Sequence, residues 1–95
     1  MNKLVLISGS SRGLGAAMAK SFSEAGYKVA INYFKSEKEA KSLSESLPSQ
    51  SHIFKCDVSN KDDVDSMLES IKEEFGYHPS ILVNNAMTSY VFNGD

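Results

Sequence analysis

The sequence predicts an α/β domain: a parallel sheet wound on both faces by helices. Two observations predict it. Strand-type apolar runs, Leu4-Val5-Leu6-Ile7, Val29-Ala30-Ile31 and Ile81-Leu82-Val83, alternate with segments that carry apolar residues at helical spacing, and such alternation implies parallel strands with helical crossovers. A serine- and glycine-rich stretch, Ser8-Gly9-Ser10-Ser11-Arg12-Gly13-Leu14-Gly15, joins the first apolar run to the first helical segment. Strand, glycine turn, helix is the context in which a loop can hold a phosphate.

Each element has its own justification. Lys3 to Ser8 reads as a strand buried on both faces, because its apolar run does not alternate. A helix over Gly13 to Ala25 is expected to turn Leu14, Ala17, Met18, Phe22 and Ala25 inward, with Gly26 as a left-handed cap. Tyr27 to Asn32 is the second strand. Ser36 with Glu39 reads as a capping box for a second helix, whose Ala40, Leu43 and Leu47 face inward and which Pro48 ends. His52 to Lys55 is a short third strand, and Ser59 is the expected N-cap of a third helix with Asp62 and Asp63 in its first turn. Val64, Met67, Leu68, Ile71 and Phe75 give that helix an unbroken amphipathic stripe, closed by Gly76. Pro79 precedes the fourth strand, Ile81-Leu82-Val83, and no clear pattern follows Met87.

The glycine stretch is where function is expected. Glycine reaches positive φ without strain and lets a ligand approach the main chain. The first N–H groups of a helix have no partner within it, so an anion is their natural occupant. Glycines at 9, 13 and 15 read Gly-x-x-x-Gly-x-Gly, which is not the common Gly-x-Gly-x-x-Gly dinucleotide fingerprint.

Composition narrows the classes. With 95 residues the chain makes one small domain, and 41% hydrophobic with 23% charged residues is ordinary for a globular one. A net charge of −2 with scattered Lys and Arg argues against a nucleic-acid surface. No apolar run is long enough for a signal-peptide core or a membrane span. Cys56 is the single cysteine, which excludes an internal disulfide framework and makes the cytoplasm the natural reading. Cys56 itself reads as a small apolar filler. His52 and His78 lack metal-ligand spacing, and no metal site is expected.

Three stretches together resemble a known family. Ser8 to Gly15 is similar to the cofactor loop of the short-chain dehydrogenases/reductases; Cys56-Asp57-Val58 and Ile81-Leu82-Val83-Asn84-Asn85-Ala86 match its later motifs at the expected separations. The resemblance covers essentially the whole chain and is strongest to the 3-oxoacyl-(acyl-carrier-protein) reductase group. It implies the N-terminal portion of a Rossmann-type fold, strand order 3-2-1-4. Residues 1–95 would be the dinucleotide-binding portion, truncated before the catalytic half. The crevice at the C-terminal ends of strands 1 and 4 is then the ligand site.

The resemblance also implies site residues. Gly9, Ser11, Arg12, Gly13, Leu14 and Gly15 would line the pyrophosphate. Asn32, Tyr33, Lys35 and Ser36 would stand near the adenosine ribose. Asp57 and Val58 would meet the adenine, and Asn84, Asn85 and Ala86 would line the path toward nicotinamide. NADP(H) is expected over NAD(H): no carboxylate appears after the second strand until Glu37, while Arg12 and Lys35 add positive charge. Lys35 reads equally as a solvated surface charge. Met87 stands where the family usually has glycine.

The family's proton donor is a Tyr in a Tyr-x-x-x-Lys pair. Four residues after Tyr27, Tyr33, Tyr77 and Tyr90 stand Ile31, Glu37, Ile81 and Gly94. The chain is therefore expected to bind a dinucleotide without turning over substrate. The full parent would reduce a ketone, such as a 3-oxoacyl thioester, and would be a homo-oligomer. The alternatives are an inactive dinucleotide-binding module or a truncated remnant.

Overall fold

The structure, a computed structural model, describes residues 3–11 and 13–85. The elements follow in the order β1 (Leu4–Ile7), α1 (Gly13–Glu24), β2 (Lys28–Tyr33), α2 (Glu37–Ser46), β3 (Ser51–Lys55), α3 (Lys61–Phe75) and β4 (Ile81–Val83). The strands form one parallel sheet in the order β3-β2-β1-β4, as expected. β2 lies one residue later than its apolar run suggested.

Side-chain alternation splits the apolar strands between two cores. Val5, Ile7, Val29 and Ile31 face α1 and α2, where Ala19, Ala40, Leu43 and Leu47 meet them. Leu4, Leu6 and Ala30 face α3, where Met67, Ile71 and Phe75 cover them. All four residues of β1 are buried, so this central strand needs apolar side chains at every position. Each such aliphatic side chain contributes about 1.5–3 kcal/mol on burial. β4 is less covered: Leu82, on its middle position, is 63% exposed.

Three local expectations are corrected. The buried stripe of α1 is Gly15, Ala19 and Ser23, while Leu14 is 69% exposed and Ala17 and Ala25 are exposed. The reason is packing distance. A Cβ placed on Gly15 would lie 2.5 Å from the Gly9 carbonyl oxygen and 2.7 Å from the Ser10 Cα, so the helix presents its smallest residues to the loop and sheet. Met18 and Phe22 fill the flanks. Second, Ser36 occupies the N-cap position of α2 but its side chain makes no capping bond. Its ψ of 58° departs from the extended value that usually aims a cap hydroxyl at the first turn. Third, α3 is capped by Asn60, whose side chain accepts from the Asp63 N–H at 3.0 Å. Ser59 is drawn instead to Asp57, whose Oδ1 accepts its N–H at 3.0 Å and its hydroxyl at 2.6 Å.

The helix ends behave as composition predicts. Gly26 has φ 93° and Gly76 φ 90°. After α1, the Tyr27 N–H reaches the Phe22 carbonyl and the Gly26 N–H the Ser23 carbonyl, both at 3.0 Å, which is the Schellman pattern. α2 stops where Leu47 turns extended before Pro48.

Candidate functional site

Parallel packing brings the C-terminal ends of all four strands to one edge of the sheet. At that edge β1 runs into Ser8, Gly9, Ser10 and Ser11, and α1 begins at Gly13. Gly9 has φ 61° and Gly13 φ 66°, a region that residues with a Cβ rarely enter. The missing side chain at Gly15 lets the loop backbone pack directly on the first turn of α1, whose N-terminal N–H groups make it a candidate cradle for an anion.

Two asparagines brace the cradle. Asn32, at 2% exposure, accepts the Gly9 N–H on its Oδ1 at 3.1 Å. Its backbone carbonyl accepts the Ser10 N–H at 3.1 Å and the Ser10 hydroxyl at 3.4 Å. Its Nδ2 donates toward the carbonyls of Tyr33, Phe54 and Cys56 at 3.2–3.3 Å. One amide thus ties the loop after β1 to the ends of β2 and β3. A buried polar group must find such partners or cost stability. From the other side, Asn85 Nδ2 donates to the Gly9 carbonyl at 3.1 Å. Ser8 joins β1 to β4: its N–H donates to the Val83 carbonyl at 3.0 Å and its hydroxyl lies 3.4 Å from Asn84 Oδ1.

The residues singled out from sequence are distributed as follows. Ser11 and Leu14 stand at the mouth, half-buried and exposed respectively, and Gly15 is buried beneath it. Asn32 lies under the loop and positions it. Tyr33 is a core residue at 8% exposure, and burial, aided by Glu37, pushes its hydroxyl above the ordinary value. Lys35 is exposed, with Nζ 5.9 Å from the centroid of the Phe34 ring. Ser36 is half-buried at the start of α2. Asp57 holds its carboxylate on Ser59, and those hydrogen bonds lower its pKa below the ordinary carboxylate value. Val58 packs against α3, Asn84 is exposed and Asn85 half-buried. Arg12, Ala86 and Met87 lie outside the described residues.

Clefts flank this edge. One of about 260 Å³ is lined by Tyr33, Phe34, Lys35, Glu37 and Lys55. Another, of about 350 Å³, runs from Phe34 and Lys55 to Asp57 and Asp63. A third, of about 470 Å³ between α1 and α2, meets the glycine loop only at Ser11. Sequence reasoning passed over Phe34 and Lys55. Phe34 directly follows β2 and so reads as a continuation of its apolar run. Lys55 joins the site only through the strand register, in which it pairs with Tyr33.

The arrangement fits a dinucleotide: a glycine turn at a helix N-terminus, an aromatic ring and Lys35 after β2, Lys55 at the end of β3, and a carboxylate after it. Residues 9–92 match the family described as enoyl-(acyl carrier protein) reductase. The 3-oxoacyl-[acyl-carrier-protein] reductase FabG of Staphylococcus epidermidis is 36% identical over 89 residues, which is 90% of this chain and 36% of that protein. The FabG of Staphylococcus aureus is 35% identical over the same length. The chain thus spans about a third of the length of these curated relatives. Among solved structures, a short-chain dehydrogenase of Bacillus anthracis superposes with a TM-score of 0.77 at 35% identity, covering 87% of this chain and 35% of that one. A short-chain dehydrogenase/reductase of Serratia marcescens gives 0.81 at 28% identity, with 87% and 35% covered.

Proposed function

The chain belongs to the short-chain dehydrogenase/reductase family, and from that premise we propose that it is the NADP(H)-binding portion of an oxidoreductase that reduces a ketone, such as a 3-oxoacyl thioester, to a secondary alcohol. The observation that carries this reading is the loop after β1. Gly9 and Gly13 hold positive φ, Gly15 has no room for a Cβ, and Asn32 and Asn85 pin the Gly9 peptide from both sides. A turn needed only to reverse the chain would not require a backbone so closely approached and so fully braced.

In the proposed complex the N–H groups at the start of α1 bind the pyrophosphate, the Gly9 and Ser10 N–H groups being held by Asn32, and Asp57 accepts from the adenine amine. Lys35, with Arg12 from the sequence, favours a 2′-phosphate, because neither Asn32 nor its neighbours offer a carboxylate to repel it before Glu37. The nicotinamide cofactor supplies the hydride when bound. Reducing a ketone also takes a proton at the carbonyl oxygen. No tyrosine of this chain has a lysine four residues later, so the chain contributes binding and orientation, and proton delivery falls to the remainder of a longer enzyme. That same feature favours a second reading, a dinucleotide-binding module without turnover. Cys56, a buried free thiol, suits a reducing compartment such as the cytoplasm.

Calorimetric titration with NADPH and NADH tests the cofactor reading, and tighter binding of NADPH is expected. Equal or tighter binding of NADH overturns it. Carbonyl reduction by the 95-residue chain alone would overturn the assignment of proton delivery.

A further inference from the structure

Phe34 is an anomaly in its surroundings. The five residues before it, Val29 to Tyr33, are all buried, yet Phe34 is 48% exposed. It stands at the C-terminal end of β2, the edge where the glycine loop and Asp57 also stand. It lines both clefts at this corner, one shared with Asp57 and the other with Lys35 and Glu37; Lys55 lines both. The Lys35 ammonium lies 5.9 Å from its ring centroid, within cation–π range, so one ring face is engaged. Charge surrounds the ring: the cleft it shares with Lys55 holds the Asp57 carboxylate, tied to Ser59, and that of Asp63, and the cleft it shares with Lys35 and Lys55 holds Glu37. An exposed aromatic face between an acceptor and a cationic cleft suits a purine with an attached phosphate. The base stacks, its exocyclic amine donates to the carboxylate, and the phosphate meets the ammonium groups.

We infer that Phe34 is the platform on which the adenine of the dinucleotide stacks, set between the Asp57 carboxylate and the ammonium groups of Lys35 and Lys55. This deepens the cofactor reading above and rests on it. It separates two duties at one corner. Phe34 recognises the base and is indifferent to the 2′-phosphate, whereas Lys35 and Lys55 recognise the phosphate and are indifferent to the base.

The test is calorimetric titration of the full-length protein and its variants with NADP⁺, NAD⁺ and adenosine 2′-monophosphate. Loss of one base–aromatic stack is worth about tenfold in affinity. Phe34→Ala is therefore expected to weaken all three ligands by about tenfold. Phe34→Tyr keeps wild-type affinity, while Phe34→Leu, apolar but unable to stack, does not. Lys35→Gln and Lys55→Gln weaken NADP⁺ and adenosine 2′-monophosphate more than they weaken NAD⁺. Wild-type protein that binds no dinucleotide overturns the cofactor reading and this inference with it. Wild-type binding with a Phe34→Ala affinity within twofold overturns the inference alone. Melting curves without ligand check that each variant folds. Should Phe34→Ala fail that check, the contrast between tyrosine and leucine decides: equal affinities overturn the inference.

Discussion

α1 and α3 cover opposite faces of one sheet and are built on opposite rules. α3 buries Met67, Ile71 and Phe75, three large side chains in a regular stripe. α1 buries Gly15, Ala19 and Ser23, nearly the smallest residues available. α3 has only to fill the space above the sheet. α1 must also let its first turn reach the backbone of the glycine loop, and any side chain at Gly15 would prevent that. A helix whose large residues mark its buried face is there for packing; one that buries its small residues is there for an approach.

Substitutions can break this contrast. The largest stability loss is expected in α3. Ile71 is fully buried, and Ile71→Ala should cost about 4 kcal/mol in denaturant unfolding with dinucleotide affinity kept in the folded fraction. Gly15→Ala should cost about 3 kcal/mol, because the Gly9 and Ser10 backbone must shift, and should also abolish dinucleotide binding. If that variant melts and binds like wild type, the close approach is not what selects glycine. Asn60→Ala should cost about 1 kcal/mol through its lost cap, whereas Ser36→Ala should leave the melting point unchanged, since no capping bond exists to lose. Leu14→Ala should change unfolding by less than about 0.5 kcal/mol despite removing a large apolar side chain, because that residue faces solvent.

The smallest effect concerns pH. The hydrogen bonds from Ser59 hold the Asp57 pKa below its ordinary value of 3.8. A carboxylate whose folded pKa is depressed favours the fold above its unfolded pKa. That contribution fades as the pH falls through the folded pKa. Carbon-detected titration should place Asp57 below an ordinary aspartate, and Ser59→Ala should bring it back up. An unmoved titration would mean the Ser59 bonds do not hold in solution.

What could be read from sequence divides along the same line. The alternation of strands and helices, the inward stripes of α2 and α3, and both glycine helix ends follow from periodicity and local backbone chemistry, which neighbouring residues carry, while the strand order comes with the family resemblance. The face of α1 was misread because the rule that large apolar residues point inward ignores how near the backbones come. The capping assignments at Ser36 and Ser59 failed for a local reason. The Ser36 backbone is turned away from the extended cap conformation, and Asp57 takes both the N–H and the hydroxyl of Ser59. Asn32 was read as a ligand contact because its place at the end of β2 is visible in sequence. That its amide is engaged by the backbones of two other segments, the loop after β1 and the end of β3, is not. The convergence of Phe34, Lys55 and Asp57 depends on strand register, which no local pattern encodes.

The chain carries its own reporter of this corner. Cys56 is the single cysteine, 3% exposed, and its carbonyl receives the same Asn32 amide that braces the glycine loop. Burial, with Asp63 and Asp57 nearby, raises its pKa, so the thiol is slow to react while the corner is closed. The rate at which a thiol reagent labels Cys56 therefore counts how often the ends of β2 and β3 part. A dinucleotide seated on the loop should slow that labelling, turning an inert side chain into a clock for the site beside it.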